Sequence, residues 1–107
     1  MSDYTISFAP FAYESIDVSS TAVGLTSAST YSSYRLLKAF ITLESAGTGT
    51  GGEIRWRIDG TSPTATEGHL LEPGQTLFLE DPVSIANFKA IRSTTTDAKL
   101  RVTYFRG

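Results

Sequence analysis

The strongest constraint on the fold is the alternation of side chains in the segment Glu53–Asp59, EIRWRID. Ile54, Trp56 and Ile58 fall at every second position, so they share one face if the segment is extended. The polar residues between them take the opposite face. The dipeptide Asp59-Gly60 ends the run, and it is typical of a turn. The pattern therefore predicts a half-buried strand that leads into a turn.

The same period of two recurs in the segment Ala98–Arg106. Leu100, Val102 and Tyr104 share one face, and the other face carries Lys99, Arg101, Thr103 and Phe105. Two strands of this kind supply much of an apolar core. The predicted core residues are Ile54, Trp56, Ile58, Leu100, Val102 and Tyr104.

The segment Arg35–Glu44, RLLKAFITLE, fits two structures. Leu36, Phe40 and Leu43 would share a helical stripe. A strand would instead place Leu37, Ala39, Ile41 and Leu43 on one face and Lys38, Phe40 and Thr42 on the other. The flexible run Gly47–Gly52 follows, and then the strand Glu53–Asp59. We therefore favour a hairpin of two strands joined by this run.

Other short apolar runs predict further strands. They are Phe11–Val18, a short strand around Val23–Leu25, His69–Leu71, Thr76–Glu80 and Val83–Arg92. In the last of these, the imperfect spacing of Ile85, Phe88 and Ile91 predicts a bulge near Ala86-Asn87. Pro73-Gly74 predicts a type II turn.

Short runs of β-branched and aromatic residues between frequent Gly, Pro and Asp predict an all-β domain. About eight short strands suit a two-sheet antiparallel β-sandwich of the jelly-roll or Greek-key type. The length of 107 residues suits one domain over residues 1–107. Residues 1–10 are predicted to form an extended arm, because Pro10 biases its predecessor away from helix.

Composition excludes several functional classes. The net charge of −2 does not favour nucleic-acid binding. The absence of cysteine removes disulfides, thiolate nucleophiles and the usual zinc sites. No apolar run reaches the roughly 18 residues of a membrane helix, and the first residues do not resemble a signal peptide. We expect a soluble protein that is made in the cytoplasm.

No motif predicts catalysis or a cofactor. The glycines of Gly47–Gly52 precede a strand pattern without a nearby lysine, unlike a phosphate-binding loop. His69 is the only histidine and has neither a nucleophile elbow nor further strong metal ligands nearby in sequence. The acids near the turns lack the spacing of a calcium loop. We predict no catalytic, cofactor or metal residues, and no enzymatic activity.

Arg55 and Arg57 lie two positions apart on the polar face of one strand. They could take part in cross-strand pairing, with Asp59 and the Lys99 and Arg101 row nearby on the outer face. They could form an interface with another subunit, where arginine is enriched. They could also bind a carboxylate, sugar or phosphate.

Aromatic residues are concentrated in the first third of the chain, which has no basic residue before Arg35. An apolar N-terminal arm is hard to bury in a core of this size, so we expect it to pack on a neighbouring subunit. The candidate interface residues are Tyr4, Phe8, Phe11, Tyr13, Arg55 and Arg57.

The segment from Ile54 to Phe105 also resembles a known family. It contains RWRIDG, then PTATEG and LEPGQ, then the spaced residues Ile85, Phe88 and Ile91 and the closing AKLRVTYF. This order is similar to that of small tailed-bacteriophage proteins in which RYRxDGxxPTxxxG precedes IxxFxxI and AxLxVxYY. Trp56 stands between the arginines where the family motif has tyrosine, and the exchange of one aromatic residue for another is a conservative change.

The resemblance covers about half of the chain and implies a bacteriophage virion structural protein. It leads us to expect a capsid decoration (cement) protein on the capsid surface, with the major capsid protein as its partner and self-association as a dimer or trimer. The alternative is a tail or fibre component in which Gly47–Gly52 and Gly60–Gly68 recognise a host surface glycan. Neither function requires nucleic-acid or membrane binding.

Overall fold

The computed structural model describes residues 9–25, 36–45 and 52–106. Strands and one short helix follow one another within these ranges. They are β1 Ala9–Val18, β2 Val23–Gly24, β3 Leu36–Ser45, β4 Ile54–Arg57, β5 His69–Leu71, β6 Thr76–Leu79, α1 Pro82–Asn87, β7 Lys89–Arg92 and β8 Ala98–Arg106. The predicted all-β class is confirmed.

The strands form two four-stranded sheets, sheet I in the order β1-β8-β3-β6 and sheet II in the order β2-β7-β4-β5. β1 pairs with β8, β2 with β7, β3 with β6 and β4 with β5, all antiparallel. The chain is therefore one long hairpin whose successive pairs alternate between the two sheets. This is a jelly roll, and it confirms the predicted two-sheet sandwich.

β3 and β4 do not form the predicted hairpin. β3 pairs with β6 and β8 in sheet I, whereas β4 pairs with β5 and β7 in sheet II. Both edges of β3 and both edges of β4 are thus occupied by other strands, and the two do not pair with each other. Gly52 is described, and the remainder of the run that was expected to join them as a hairpin, residues 47–51, lies outside the described residues.

The predicted N-terminal arm overlaps the first strand. β1 begins with Ala9 opposite Arg106 and Pro10 opposite Phe105, and its register shifts between Pro10 and Ala12. Pro10 is tolerated there because β1 is an edge strand of the sheet. Residues 1–8, which include Tyr4 and Phe8, lie outside the described residues.

The core lies between the two sheets. In β8 every second residue from Ala98 to Tyr104 is buried, and Ile54 and Leu71 approach from sheet II. The predicted core residues Leu100, Val102 and Tyr104 are fully buried. Trp56 and Ile58 are partly buried and pack against this core.

The segment Pro82–Asn87 is helical, so the strand predicted over Val83–Arg92 is wrong before Lys89, and so is the bulge predicted near Ala86-Asn87. Asp81 caps α1: its carboxylate accepts hydrogen bonds from the Ser84 backbone nitrogen at 2.8 Å and the Ser84 hydroxyl at 3.0 Å. Pro82 occupies the first turn. Proline has no backbone N–H, and an N–H in the first turn would have no acceptor within the helix, so nothing is lost there. The helix buries Ile85, and Phe88 is buried directly after it.

The predicted turn at Pro73-Gly74 is present. The Gln75 backbone nitrogen donates to the Glu72 carbonyl at 3.0 Å, and Gly74 has a φ of +90°. A positive φ at the third residue is the requirement of a type II turn. The Gly74 nitrogen also donates to the Leu43 carbonyl at 2.8 Å, which joins this turn to β3.

Candidate functional site

Arg55 is half-buried beneath the segment that connects β4 to β5. Its Nη1 donates to the Gly68 carbonyl at 3.1 Å, while its buried Nε has no hydrogen-bond partner within the described part of the chain. A Cβ atom at Gly68 would lie 3.2 Å from the Arg55 Cβ and 3.1 Å from the Pro63 Cβ. Arg55 therefore supports the folding of this segment against β4.

Arg57 forms a two-point ion pair with Asp59. Its Nε lies 3.0 Å from Oδ1 and its Nη2 lies 2.5 Å from Oδ2 of that carboxylate. The hydrogen bond from Arg57 lowers the pKa of Asp59, and the same bond raises the pKa of Arg57. The Thr61 backbone nitrogen also donates to Asp59, at 3.3 Å, so this carboxylate shapes the turn as well.

The Lys99 and Arg101 row does not lie beside these arginines, as the cross-strand alternative supposed. Lys99 and Arg101 belong to β8 in sheet I, whereas Arg55 and Arg57 belong to β4 in sheet II. The pairing with Asp59 holds for Arg57 alone.

A cleft of about 370 Å³ opens beside this ion pair. Its lining defines what we call the loop cleft: Arg57, Asp59, Glu67, Gly68 and His69. The segment that forms one wall is closed by backbone hydrogen bonds between Thr64 and Glu67, at 2.9 and 3.2 Å.

His69 sits at the edge of the loop cleft with an ordered ring contact. Its ring centroid lies 4.8 Å from that of Trp56, the residue opposite it in β4. Trp56 in turn stacks on the buried Phe88, with centroids 6.2 Å apart. His69 is exposed, but Trp56 holds the imidazole against the core on one side.

A second surface lies on the outer face of sheet I. The register places Tyr13 beside Thr103, Thr103 beside Phe40, and Phe40 beside Phe78. We call this line of residues across all four strands the aromatic row. Tyr13 is 59% exposed and Phe78 is 53% exposed. The Phe40 and Phe78 rings contact each other with centroids 4.9 Å apart.

Arg101 lies in the neighbouring row and connects three strands. Its Nε donates to Glu44 at 2.5 Å, and its Nη1 donates to the Ser15 hydroxyl at 2.9 Å and the Tyr13 hydroxyl at 3.3 Å. The hydrogen bonds with Ser15 and Arg101 lower the pKa of Tyr13. These contacts orient one end of the aromatic row.

The next row consists of charged residues that neutralise one another. Lys99 lies between Asp17 on β1 and Glu44 on β3, and its Nζ is 3.5 Å from an Asp17 carboxylate oxygen. Arg101 already pairs with Glu44. The outer face of sheet I therefore combines an exposed aromatic row with a neutralised, polar flank.

The predicted interface residues do not form one surface. Tyr13 lies on the outer face of sheet I, while Arg55 and Arg57 lie on sheet II. Tyr4 and Phe8 fall outside the described residues, and of Phe11 only the position in β1 is described.

The sequence reasoning missed Phe40 and Phe78. A signal for Phe40 was present, because the strand alternation placed it on the polar face with Lys38 and Thr42. Phe78 is distant from Phe40 in sequence, and only the pairing of β3 with β6 brings the two residues together. No local pattern in the sequence indicates this pairing.

No protein family, curated protein or solved structure matches this chain. The described residues contain no group of three or more His, Cys, Asp or Glu side chains arranged to hold a metal ion. Among those same residues, no helix combines the length and the apolar character needed to cross a bilayer.

Proposed function

We propose that this chain is a non-enzymatic virion structural protein of a tailed bacteriophage, a capsid decoration protein that binds and stabilises the lattice of the major capsid protein. The family resemblance of Ile54–Phe105 supports the class of protein. The observation that supports the mode of binding is the aromatic row, Tyr13, Thr103, Phe40 and Phe78.

The aromatic row suits a protein partner because covering its side chains would remove apolar surface from water. Tyrosine and phenylalanine are enriched in the buried centres of protein interfaces. Each removes a large apolar area from water when it is covered, and the side chains carry little conformational entropy. Phe78 is more than half exposed, so most of that gain is available to a partner.

The polar flank suits the same role. Covering an unpaired charge is costly, whereas a pair already joined by hydrogen bonds loses less on binding. Arg101 is paired with Glu44, and Lys99 with Asp17. Because the pairs lie at the rim of the aromatic row, they can remain partly solvated in the complex.

Copy number in purified virions tests this function. A decoration protein that covers the capsid lattice is present in many copies, in fixed proportion to the major capsid protein, and quantitative gel analysis measures that ratio. Density on the capsid surface in a virion reconstruction gives the location. A few copies confined to the tail would contradict the proposal and support the tail or fibre alternative.

The stabilising role has a separate test. Virions assembled without this protein are expected to release DNA at a lower temperature than complete virions, and addition of the purified chain should restore the difference. Equal heat resistance with and without the protein would contradict a cementing role. A reconstruction of the virions to which the purified chain has been added also shows the oligomeric form in which the protein binds, which we propose is a dimer or trimer.

A further inference from the structure

The loop cleft lies on sheet II and is not used by the proposed binding through the outer face of sheet I. We propose that it binds a small neutral saccharide. This inference does not rest on the proposed function, because it concerns different residues on the opposite sheet. A decoration protein and a tail protein could equally carry such a site.

The chemistry of the lining selects a polyhydroxyl ligand. A guanidinium, an imidazole and two carboxylates surround one cleft, so donors and acceptors face the same volume. A sugar hydroxyl both donates and accepts, and it can use all of these groups. An inorganic cation would use only Asp59 and Glu67, which do not form part of a metal-binding group.

Charge argues against an anionic ligand. Arg57 is the guanidinium of the lining, and it already pairs with Asp59 at two points. Glu67 adds a second carboxylate to the same lining. The lining therefore offers a carboxylated sugar no unpaired guanidinium, and two carboxylates stand beside the one that is present.

The ring contact of His69 supplies a flat surface. The imidazole contacts the Trp56 ring at an interplanar angle of 38°, and Trp56 stacks on buried Phe88, so the ring of His69 is held against the core. The apolar C–H face of a sugar ring can pack on such a surface while its hydroxyls bind the polar groups. The combination is suited to a pyranose ring.

The cleft is also shaped before a ligand arrives. Asp59 is fixed by Arg57 and by the Thr61 backbone nitrogen, and the Thr64–Glu67 hydrogen bonds close the connecting segment. Gly68 packs without space for a side chain. A preorganised site loses less conformational entropy on binding. Its volume of about 370 Å³ suits a small saccharide.

NMR titration of the ¹⁵N-labelled full chain tests this site. The probes are methyl α-glucoside, methyl α-mannoside, methyl β-galactoside and N-acetylglucosamine, with sorbitol and N-acetylneuraminic acid as comparisons. We expect at least one neutral sugar to give saturable shifts at the Gly68 and His69 amides and at the Arg57 Nε–H. Sorbitol and the acidic sugar should bind more weakly.

Two matched variants locate the binding. E67A removes a carboxylate of the cleft and should weaken the best sugar by about tenfold, as expected for the loss of a hydrogen bond to a charged group. E72A removes an exposed carboxylate outside the lining and should leave the affinity unchanged. The remaining resonances of each variant report that its fold is intact.

Three results would overturn the proposal. They are the absence of saturable shifts in the cleft with every neutral sugar, a preference for N-acetylneuraminic acid, and equal weakening by E67A and E72A. The titration uses the isolated chain without capsids, so its failure would leave the proposed binding to the capsid untouched.

Discussion

The side chain of Arg101 on β8 donates its Nε proton to the carboxylate of Glu44 on β3 at 2.5 Å. The same guanidinium reaches across β8 to Ser15 and Tyr13 on β1. One residue thus ties together three strands of the outer face and orients the tyrosine of the aromatic row. This arrangement has a measurable electrostatic consequence.

We expect R101Q to raise the pKa of Tyr13 toward its ordinary value, because a cationic donor that stabilises the phenolate is lost. NMR titration of ¹³C-labelled tyrosine resolves Tyr13 from the other tyrosines. S15A should move the pKa in the same direction, because the hydrogen bond between Ser15 and Tyr13 also lowers the pKa of Tyr13. K99Q is the control, and a shift as large in K99Q would contradict this account.

F78S should weaken binding to the capsid by about tenfold or more, as for an aromatic residue at the centre of an interface. The measurement is co-sedimentation of the purified variant with virions that lack the protein. V83S is the matched control, since Val83 is also an exposed apolar residue at 67% but lies on α1 outside the aromatic row. Equal losses for the two variants would argue against the aromatic row as the binding face.

G68A should destabilise the fold more than G60A. Both glycines have positive φ, +135° and +88°, and strain of this kind costs about 1–3 kcal/mol in a residue with a side chain. Only Gly68 also has neighbours within 3.2 Å of an added Cβ, whereas Gly60 has open space. Urea unfolding of the two variants measures the difference. Equal midpoints would show that the close packing at Gly68 does not contribute.

Replacement of the helix cap should give a pH-dependent effect. The hydrogen bond from the Ser84 backbone nitrogen lowers the pKa of Asp81 below its ordinary value of 3.8. A lowered folded-state pKa means that the cap stabilises the fold above the ordinary pKa and that this stabilisation is lost as the pH falls through the folded-state pKa.

We therefore expect wild type to exceed D81S in stability at neutral pH, and the difference to shrink in strong acid. Serine is a suitable comparison because it can cap the helix but does not titrate in this range. Unfolding by urea at several pH values measures the difference, and a difference independent of pH would contradict the role of the Asp81 carboxylate.

The strands of this protein were largely predictable because burial imposes a period of two. β4 and β8 follow from alternation alone, and Tyr104 and Leu100 are buried where the pattern places them. For β3 the alternation also allowed a helix, and the strand was favoured because a glycine run and a second strand follow it. The helix α1 was missed although its cap was visible as Asp81-Pro82 with Ser84 three residues after the aspartate. Here the apolar spacing of a short segment was ambiguous, and the capping residues carried the better information.

The two candidate surfaces differ in how far sequence could reveal them. The loop cleft comes from one continuous segment, and Asp59 and His69 stand out in the sequence although the cleft that they share does not. The aromatic row joins four strands, and its existence depends on the pairing partners and on the register. A shift of one residue in the pairing register of β3 would have moved the side chain of Phe40 from the outer face to the core.

The position of β8 has a consequence for synthesis. It lies between β1 and β3 and carries Leu100, Val102 and Tyr104 into the core. While β8 is still inside the ribosome, β1 lacks its partner and β3 lacks one of its two neighbours. Stable folding is therefore expected only after translation of β8 is complete, and until then the apolar strands of the nascent chain lack the partners that bury them.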